Sequence, residues 1–326
     1  MRILPLLPAA IVLLLASSCS PAQSDSQEAG GADKASKGKH HKKKNKNKKD
    51  EAQAKPDGGA GAKKAGGDPH FDAAAAAAIP GLRTIGSLAG VVPENSGLVP
   101  AEQAGAYYSF GDVDNPPRLF KFDLTGHLLG TVDIAAPNND WESMSRDGQG
   151  NYYICDCGNN HSDRRNLALY RVRPDQPRQV GSIRFAYPDQ TEFPPAKKTR
   201  SFDCEASLWH AGKIWLFTKD LAQKSTSTVY TVPDRPGQYI AQRMTSLAIP
   251  GEVTDAALSP NGHRLVLTGR GELFLLDGNS WEDLLKATPR HVDLTGAGQT
   301  EAAYFKDDRT LLLTTEQGAI YEYTLP

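Results

Sequence analysis

Asn139-Asp140-Trp141-Glu142-Ser143-Met144-Ser145-Arg146-Asp147-Gly148-Gln149-Gly150-Asn151-Tyr152-Tyr153-Ile154-Cys155-Asp156-Cys157-Gly158-Asn159 holds the pattern that decides the fold. A short stretch bearing two acids runs into a turn of Asp, Gly and Asn. A second stretch, rich in aromatic and β-branched residues, follows and ends on another acid. This is the signature of a β-hairpin, and it recurs. Ser201-Phe202-Asp203-Cys204-Glu205-Ala206 leads through His210-Ala211-Gly212-Lys213 into Ile214 to Asp220. Val253 to Leu258 leads through Ser259-Pro260-Asn261-Gly262-His263 into Arg264 to Gly269, and Gln299 to Tyr304 leads through Asp307-Asp308 into Thr310 to Glu316. A weaker first copy runs from Pro93-Glu94-Asn95-Ser96-Gly97-Leu98 into Ala106 to Asp112.

Aligning the acids Glu94, Glu142, Glu205, Asp255 and Glu301 gives steps of 48, 63, 50 and 46 residues. Units of this size, each with several short strands, are what propeller blades look like in sequence. Each hairpin is followed by two more apolar stretches, such as Arg118 to Phe122 and His127 to Val132 in the first unit. In the third unit Tyr239 to Leu247 reads as one fourth strand. The last unit is one strand short, whereas Leu82 to Gly90 precedes the first unit without a hairpin of its own. The expectation is an all-β propeller of five four-stranded antiparallel blades, with the N-terminal strand completing the last blade and closing the ring. Six blades is the alternative, should Pro188 to Arg200 hide a degenerate one.

The chain before the repeats has a different character. Residues 3 to 16 form an apolar run after Arg2 and end in Leu15-Ala16-Ser17-Ser18-Cys19. The run is too short for a comfortable membrane span and reads as a signal peptide. The small residues before Cys19 resemble the lipobox of bacterial lipoproteins. That resemblance implies a leader over residues 1–18, lipidation of Cys19 and, from Ser20, anchoring in the outer membrane of a Gram-negative bacterium. Residues 19–78 are built of Ala, Gly, Lys, Ser and Asp, with too little apolar surface to offset the entropy of ordering. They read as a tether reaching about 40–45 Å, in which Ala73 to Ala78 is long enough for a helical turn or so. Lys34 to Lys49 carries nine lysines and no acid. It suits either an anionic envelope surface or a self-repelling spacer. No aromatic residues are interleaved to stack on bases, so nucleic acid is not an expected partner. Residues 79–326, the propeller, hold 24 Lys and Arg against 30 Asp and Glu, so a mildly acidic domain hangs on a basic tether. A monomer is expected.

Asp140-Trp141-Glu142, Gly150 to Asn160, Leu169-Tyr170-Arg171-Val172, Glu94 to Leu98 and Asp203-Cys204-Glu205-Ala206 together resemble exported bacterial propellers of the SdiA-regulated and phytase-like, or esterase-like, group. The resemblance spans about residues 80–326. It implies the propeller fold and carries over no catalytic residues.

First strands line a propeller's channel, so Glu94, Glu142, Glu205, Asp255 and Glu301 are expected to converge on the axis. Carboxylates brought together raise one another's pKa, and burial adds to the effect. Such a ring is protonated, paired with cations or wrapped around a metal. Oxygen donors suit a hard cation such as Ca²⁺ and fit zinc or copper poorly. The competing account has the acids cap turns and pair with Arg146, Arg200, Lys219 or Arg270. Asp112, Asp156, Asp220 and Glu316 end the second strands, with Arg270 at the equivalent place in the fourth unit. With Asp140, Asp203 and Lys219 they extend the acids into a charged mouth.

No Gly-x-Ser-x-Gly, His-Glu-x-x-His or phosphate-loop motif is present in the sequence. The leading expectation is a non-catalytic binding or scaffold propeller, and the alternative is a metal-assisted phosphoesterase or lactonase working in the same mouth. Cys155, Cys157 and Cys204 remain once Cys19 is set aside. Free buried thiols are the leading expectation; the alternative is a bridge, and then one from Cys204 to either of the other two in preference to one between neighbours two residues apart.

Overall fold

Each recurrence of the opening pattern folds as the inner hairpin of its own sheet. The structure is a computed structural model and describes residues 71–326; the leader, Cys19 and Lys34 to Lys49 lie outside the described residues. Blade 1 is β2 (Asn95–Pro100), β3 (Ala106–Gly111), β4 (Arg118–Asp123) and β5 (Leu128–Asp133). Blade 2 is β6 (Trp141–Arg146), β7 (Tyr152–Asp156), β8 (Ala168–Val172) and β9 (Gly181–Ala186). Blade 3 is β10 (Asp203–His210), β11 (Lys213–Lys219), β12 (Ser227–Pro233) and β14 (Gln242–Leu247). Blade 4 is β15 (Val253–Leu258), β16 (Arg264–Gly269), β17 (Glu272–Asp277) and β18 (Arg290–Asp293). Blade 5 is β19 (Thr300–Asp307), β20 (Thr310–Thr315), β21 (Ala319–Thr324) and β1 (Leu82–Ser87).

The protein is therefore a five-bladed β-propeller. Its ring closes where the N-terminal β1 pairs antiparallel with β21, from Leu82 opposite Tyr323 to Ser87 opposite Ala319. The Pro188 to Arg200 insertion contributes a single 3-10 turn, Lys197–Thr199, so it hides no sixth blade.

Every blade is sandwiched between two others, so its inner strands are buried on both faces and read as continuous apolar runs rather than alternating ones. The consequence is five separate cores, one per seam. Phe110 meets Trp141 edge-on at 5.5 Å between blades 1 and 2. Tyr187 and Phe202 pack between blades 2 and 3, and Phe217 and Phe274 between blades 3 and 4. Leu273, Phe305 and Tyr321 fill the fourth seam, and Leu98, Phe122 and Leu312 the fifth. Only the outermost strands, such as β5, are largely exposed. On the axis, hydroxyls join neighbouring inner strands: Ser96 Oγ donates to the Glu142 carbonyl at 2.5 Å and Thr254 Oγ1 to the Thr300 carbonyl at 2.8 Å.

Three details differ from the sequence reading. The segment before residue 79 is not all tether. Asp72 caps α1 (Ala73–Ala78), accepting from the Ala74 and Ala75 amides at 2.9 and 3.1 Å. Six alanines are too few to hold a helix alone, but Ala76 enters the core of the seam between blades 4 and 5, and Phe71 bridges to Ala297. The stretch from Tyr239 to Leu247 is two strands, broken at Ala241. β13 (Gly237–Ile240) leaves blade 3 and adds a parallel fifth strand to β9 of blade 2, covering that edge. The third correction concerns the cysteines. Cys155 and Cys157 are bridged to each other, and Cys204 is a buried free thiol. β7 ends at Asp156, so Cys157 is released from strand geometry, and the Cα atoms come to 5.3 Å, within ordinary disulfide reach.

Two strand glycines test the closure. A Cβ on Gly86 in β1 would fall 2.2 Å from the Leu124 carbonyl oxygen and 2.7 Å from the Thr125 carbonyl carbon, whereas one on Gly130 in β5 would meet nothing within 4 Å. Gly86→Ala is expected to force β1 off blade 1 and lower stability by about 1–3 kcal/mol. Gly130→Ala should stay within about 0.5 kcal/mol of the parent. Urea midpoints of the two variants measure the difference.

Candidate metal-binding mouth on the axis

A β-bulge at the start of the inner strand determines which side chain reaches the axis. In β6 the register slips between Trp141 and Ser143, leaving Glu142 as the extra residue. β10 slips between Cys204 and Ala206, leaving Glu205, and β19 between Thr300 and Ala302, leaving Glu301. In β15 the slip lies between Val253 and Asp255, so the equivalent residue is Thr254. Asp255 is displaced from the ring by one position. It is buried, its Oδ2 accepts the Ala303 amide at 3.0 Å across the seam between blades 4 and 5, and its Oδ1 has no partner. Burial, opposed by those backbone contacts, pushes its carboxyl up to about 8. Glu94 is not a bulge residue either, but it lines the same mouth from its edge. It precedes β2 at φ 44° and stands exposed at the rim, accepting from Asn115 Nδ2 at 2.8 Å. The expected ring of five acids is a ring of three, because the sequence alignment matched acids where the structure matches bulges.

Around Glu142 and Glu205 other carboxylates gather. Asp112, Asp140 and Glu142 each present an oxygen within 4.8 Å of the others, and Glu142, Asp203 and Glu205 form a second such triad. Glu142 belongs to both. Asp203 is fully buried; its Oδ1 accepts the Asn159 amide at 2.6 Å, and its Oδ2 has no donor. Lys219, at the end of β11 and 2% exposed, pairs with Glu205. Arg164 reaches to 4.0 Å of Asp140 from the flank. Arg270 and Glu316 line the mouth with Glu301, and Arg270 Nε comes within 3.8 Å of Glu252. The mouth holds about 160 Å³.

Asp156, expected at the mouth, is instead saturated within blade 2. It accepts from Asn139 Nδ2, the Asp140 amide, Arg164 and the Tyr170 hydroxyl at 2.6–3.0 Å. Asp220 caps its own loop through the Ala222 and Gln223 amides. Of the cations expected to compensate the acids, Lys219 does so directly. Arg146 sits at the other end of its hairpin and bonds backbone carbonyls instead. Ser96, Asn160 and Gln299, which line the mouth without charge, carried no pattern in the sequence.

The electrostatics follow from burial. Desolvation, reinforced by Glu205 and Asp112, raises Glu142 well above the usual carboxyl range. Desolvation and Glu205 do the same to Asp203. Burial pushes Asp112 up to about 7 and Asp140 up to about 6, with neighbouring acids adding to both. Glu301 rises to about 8 through burial and Glu205, against the pull of Lys219 and Arg270. Burial alone would lower the Lys219 ammonium, but Glu205, Asp203, Glu142 and Glu301 together hold it above its ordinary value.

The fold defines the class: a propeller with an acidic axial mouth. No protein-family model and no curated protein matches the chain. Among solved structures it is similar to a catalytically inactive variant of virginiamycin B lyase from Staphylococcus aureus with quinupristin. There the identity is 9%, 71% of this chain and 66% of that chain are covered, and the TM-score is 0.39. It is also similar to XC5397 of Xanthomonas campestris, a gluconolactonase, at 15% identity over 80% of this chain and 95% of that one, with a TM-score of 0.43. The chain thus spans slightly less than two thirds of the lyase's length. At these values the similarity assigns no activity.

Each raised carboxyl binds its proton more tightly in the folded chain than in the unfolded one. Between the ordinary carboxyl range and about pH 8, the folded state therefore holds the extra protons, and stability falls as pH rises through that window. In chelator-treated buffer, urea unfolding should show lower stability at pH 9 than at pH 5, by on the order of a few kcal/mol. Glu301→Gln should match the parent at pH 5 and exceed it at pH 9.

Proposed function

We propose that the chain is an exported, lipid-anchored propeller of the cell envelope whose axial mouth binds a hard divalent cation such as Ca²⁺, and that it acts as a non-catalytic binding protein. The observation that carries the cation is the pair of carboxylate triads sharing Glu142, with Asp203 Oδ2 lacking a donor. The donor set fits. Oxygens bound to one Ca²⁺ at 2.3–2.6 Å lie at most about 5 Å apart, and each triad lies within 4.8 Å. A bound cation would neutralise carboxyls that otherwise hold protons. Glu142, Asp203 and Glu205 would hold it at depth, with Asp112 and Asp140 toward the rim and Lys219 limiting the local negative charge. The mouth volume of about 160 Å³ suits an ion with a few waters and is smaller than organic-ligand pockets, which begin near about 300 Å³.

The envelope setting rests on the leader, on Cys19 followed by Ser20, and on the basic tether. In this reading Cys19 carries the lipid in the outer membrane, Lys34 to Lys49 lies against an anionic surface, and the propeller works as a monomer without nucleic acid. The resemblance to the SdiA-regulated and phytase-like group agrees with an exported propeller.

One observation favours a second reading, hydrolysis. Asp112 and Asp140 carry carboxyls at about 7 and about 6, where a proton can be exchanged at neutral pH. A cation held by Glu142, Asp203 and Glu205 would supply polarisation of a phosphoryl or lactone oxygen, and Asp112, which in this reading does not ligate it, would hold the proton at the rim.

Calorimetric titration of the chelator-stripped full chain with Ca²⁺ tests the first reading. Saturable binding is expected, weakened at least about tenfold, or 1.4 kcal/mol, in Glu142→Gln and in Asp203→Asn, and unchanged in Asp255→Asn. Absence of binding to the parent chain would remove both readings and leave a proton-filled cluster. Phosphoester or lactone turnover that is Ca²⁺-dependent and lost in Asp112→Asn would select the second.

A further inference from the structure

Blades 1 and 2 part around a second cavity, a cleft of about 490 Å³. It lies at the turn end of the β6–β7 hairpin, where Arg146 stands opposite Tyr152, whereas Glu142 sits at the other end of β6. Its size falls within the range of organic-ligand sites. Three cations and two acids line it, and four of the five are paired. Lys121 Nζ donates to Glu102 Oε1 at 2.5 Å while the Tyr108 hydroxyl donates to the other oxygen at 3.1 Å, so each Glu102 oxygen has a donor within the cleft. Arg173 Nε lies 3.3 Å from Asp175.

Arg146 is the exception. Its Nη1 donates to the Pro100 and Ala101 carbonyls at 3.3 Å each, and its guanidinium lies 5.3 Å from the centre of the Tyr152 ring. Its Nε is buried without a partner, and among the described residues no carboxylate lies within ion-pair distance of it. A guanidinium presents donors in a fork that fits a carboxylate. Half-buried at the cleft with no carboxylate among the described residues within ion-pair distance, Arg146 leaves an outside carboxylate no competitor for it.

We propose that this cleft binds a small organic carboxylate with an apolar body. The carboxylate pairs with Arg146, and the body lies against Val132, Pro174 and the edge-to-face pair of Tyr108 and Tyr152, whose rings are 5.6 Å apart. A singly charged ligand balances the one unpaired cation, whereas a phosphate dianion would face Glu102 and Asp175. This assignment does not depend on the axial mouth.

The test uses the full chain and phenylacetate as probe, followed by ligand-observed NMR and calorimetry. Phenylacetamide has the same shape without the charge, and acetate the same charge without the body. The expected result is saturable binding of phenylacetate, with phenylacetamide and acetate each at least about tenfold weaker. Arg146→Gln should weaken phenylacetate at least about tenfold. Gly130→Leu should do the same by filling the cleft; a Cβ at Gly130 meets nothing within 4 Å, and a urea midpoint matching Gly130→Ala checks that the fold is kept. Phenylacetate that fails to bind the parent chain, binds Gly130→Leu equally well, or binds no better than acetate or phenylacetamide would overturn the proposal.

Discussion

Carboxylates cannot be gathered on the axis of a propeller without something positive among them, and Lys219 is where this chain supplies it. The lysine ends β11, buried, with Glu205 bonded to it and Asp203, Glu142 and Glu301 close enough to raise its affinity for its own proton. One ammonium does not balance that many acids. Arg164 beside Asp140 and Arg270 beside Glu301 add to it, yet burial and the neighbouring acids still shift Asp112, Asp140, Glu142, Asp203 and Glu301 upward. A cluster in that condition is destabilising at neutral pH and is tolerated because five apolar seams elsewhere carry the stability.

The same arrangement explains why the ring must be closed. Each seam is a core shared by two blades, so an open ring would leave one blade with an uncovered apolar face and β21 with an unpaired edge. β1 covers that edge, and α1, docked through Ala76 and Phe71, extends the cover to the neighbouring seam. β13 does comparable work on blade 2, where it pairs in parallel with β9. Apart from the links between successive blades, the chain lends a strand across blades, among the described residues, only at β1 and β13, where each covers an edge that would otherwise be bare.

The fold was legible because blade repetition writes itself as spacing, and the spacing of turns and apolar runs survives the loss of sequence identity. The site was only half legible. Glu142, Glu205 and Glu301 were found because the acid coincides with the bulge in three blades. Asp255 misled because it stands one residue past the bulge, and in a strand one residue is the difference between axis and seam. Asp156 misled for another reason: an acid at the end of a strand is as useful for organising a loop as for lining a mouth, and only its four donors reveal which. In sequence Arg146 reads as a counter-charge for the acids. Its place at the far end of the hairpin follows from a register that spacing alone does not fix.

Asp203, Cys204 and Glu205 condense these constraints into three consecutive residues. The two acids face the axial cluster, while Cys204 points into the seam between blades 2 and 3 beside the Cys155–Cys157 bridge. Because that bridge lies within blade 2, no covalent bond among the described cysteines ties the two blades together. Their seam is held by packing, by the Cys204 amide on the Cys157 carbonyl at 3.4 Å and by the Asn159 amide on Asp203. Asp203 thus spends one oxygen on the seam and leaves the other without a donor in the cluster. Any cation that takes the second oxygen grips a residue already fastened to blade 2, and occupancy of the axis and cohesion of this seam become one equilibrium.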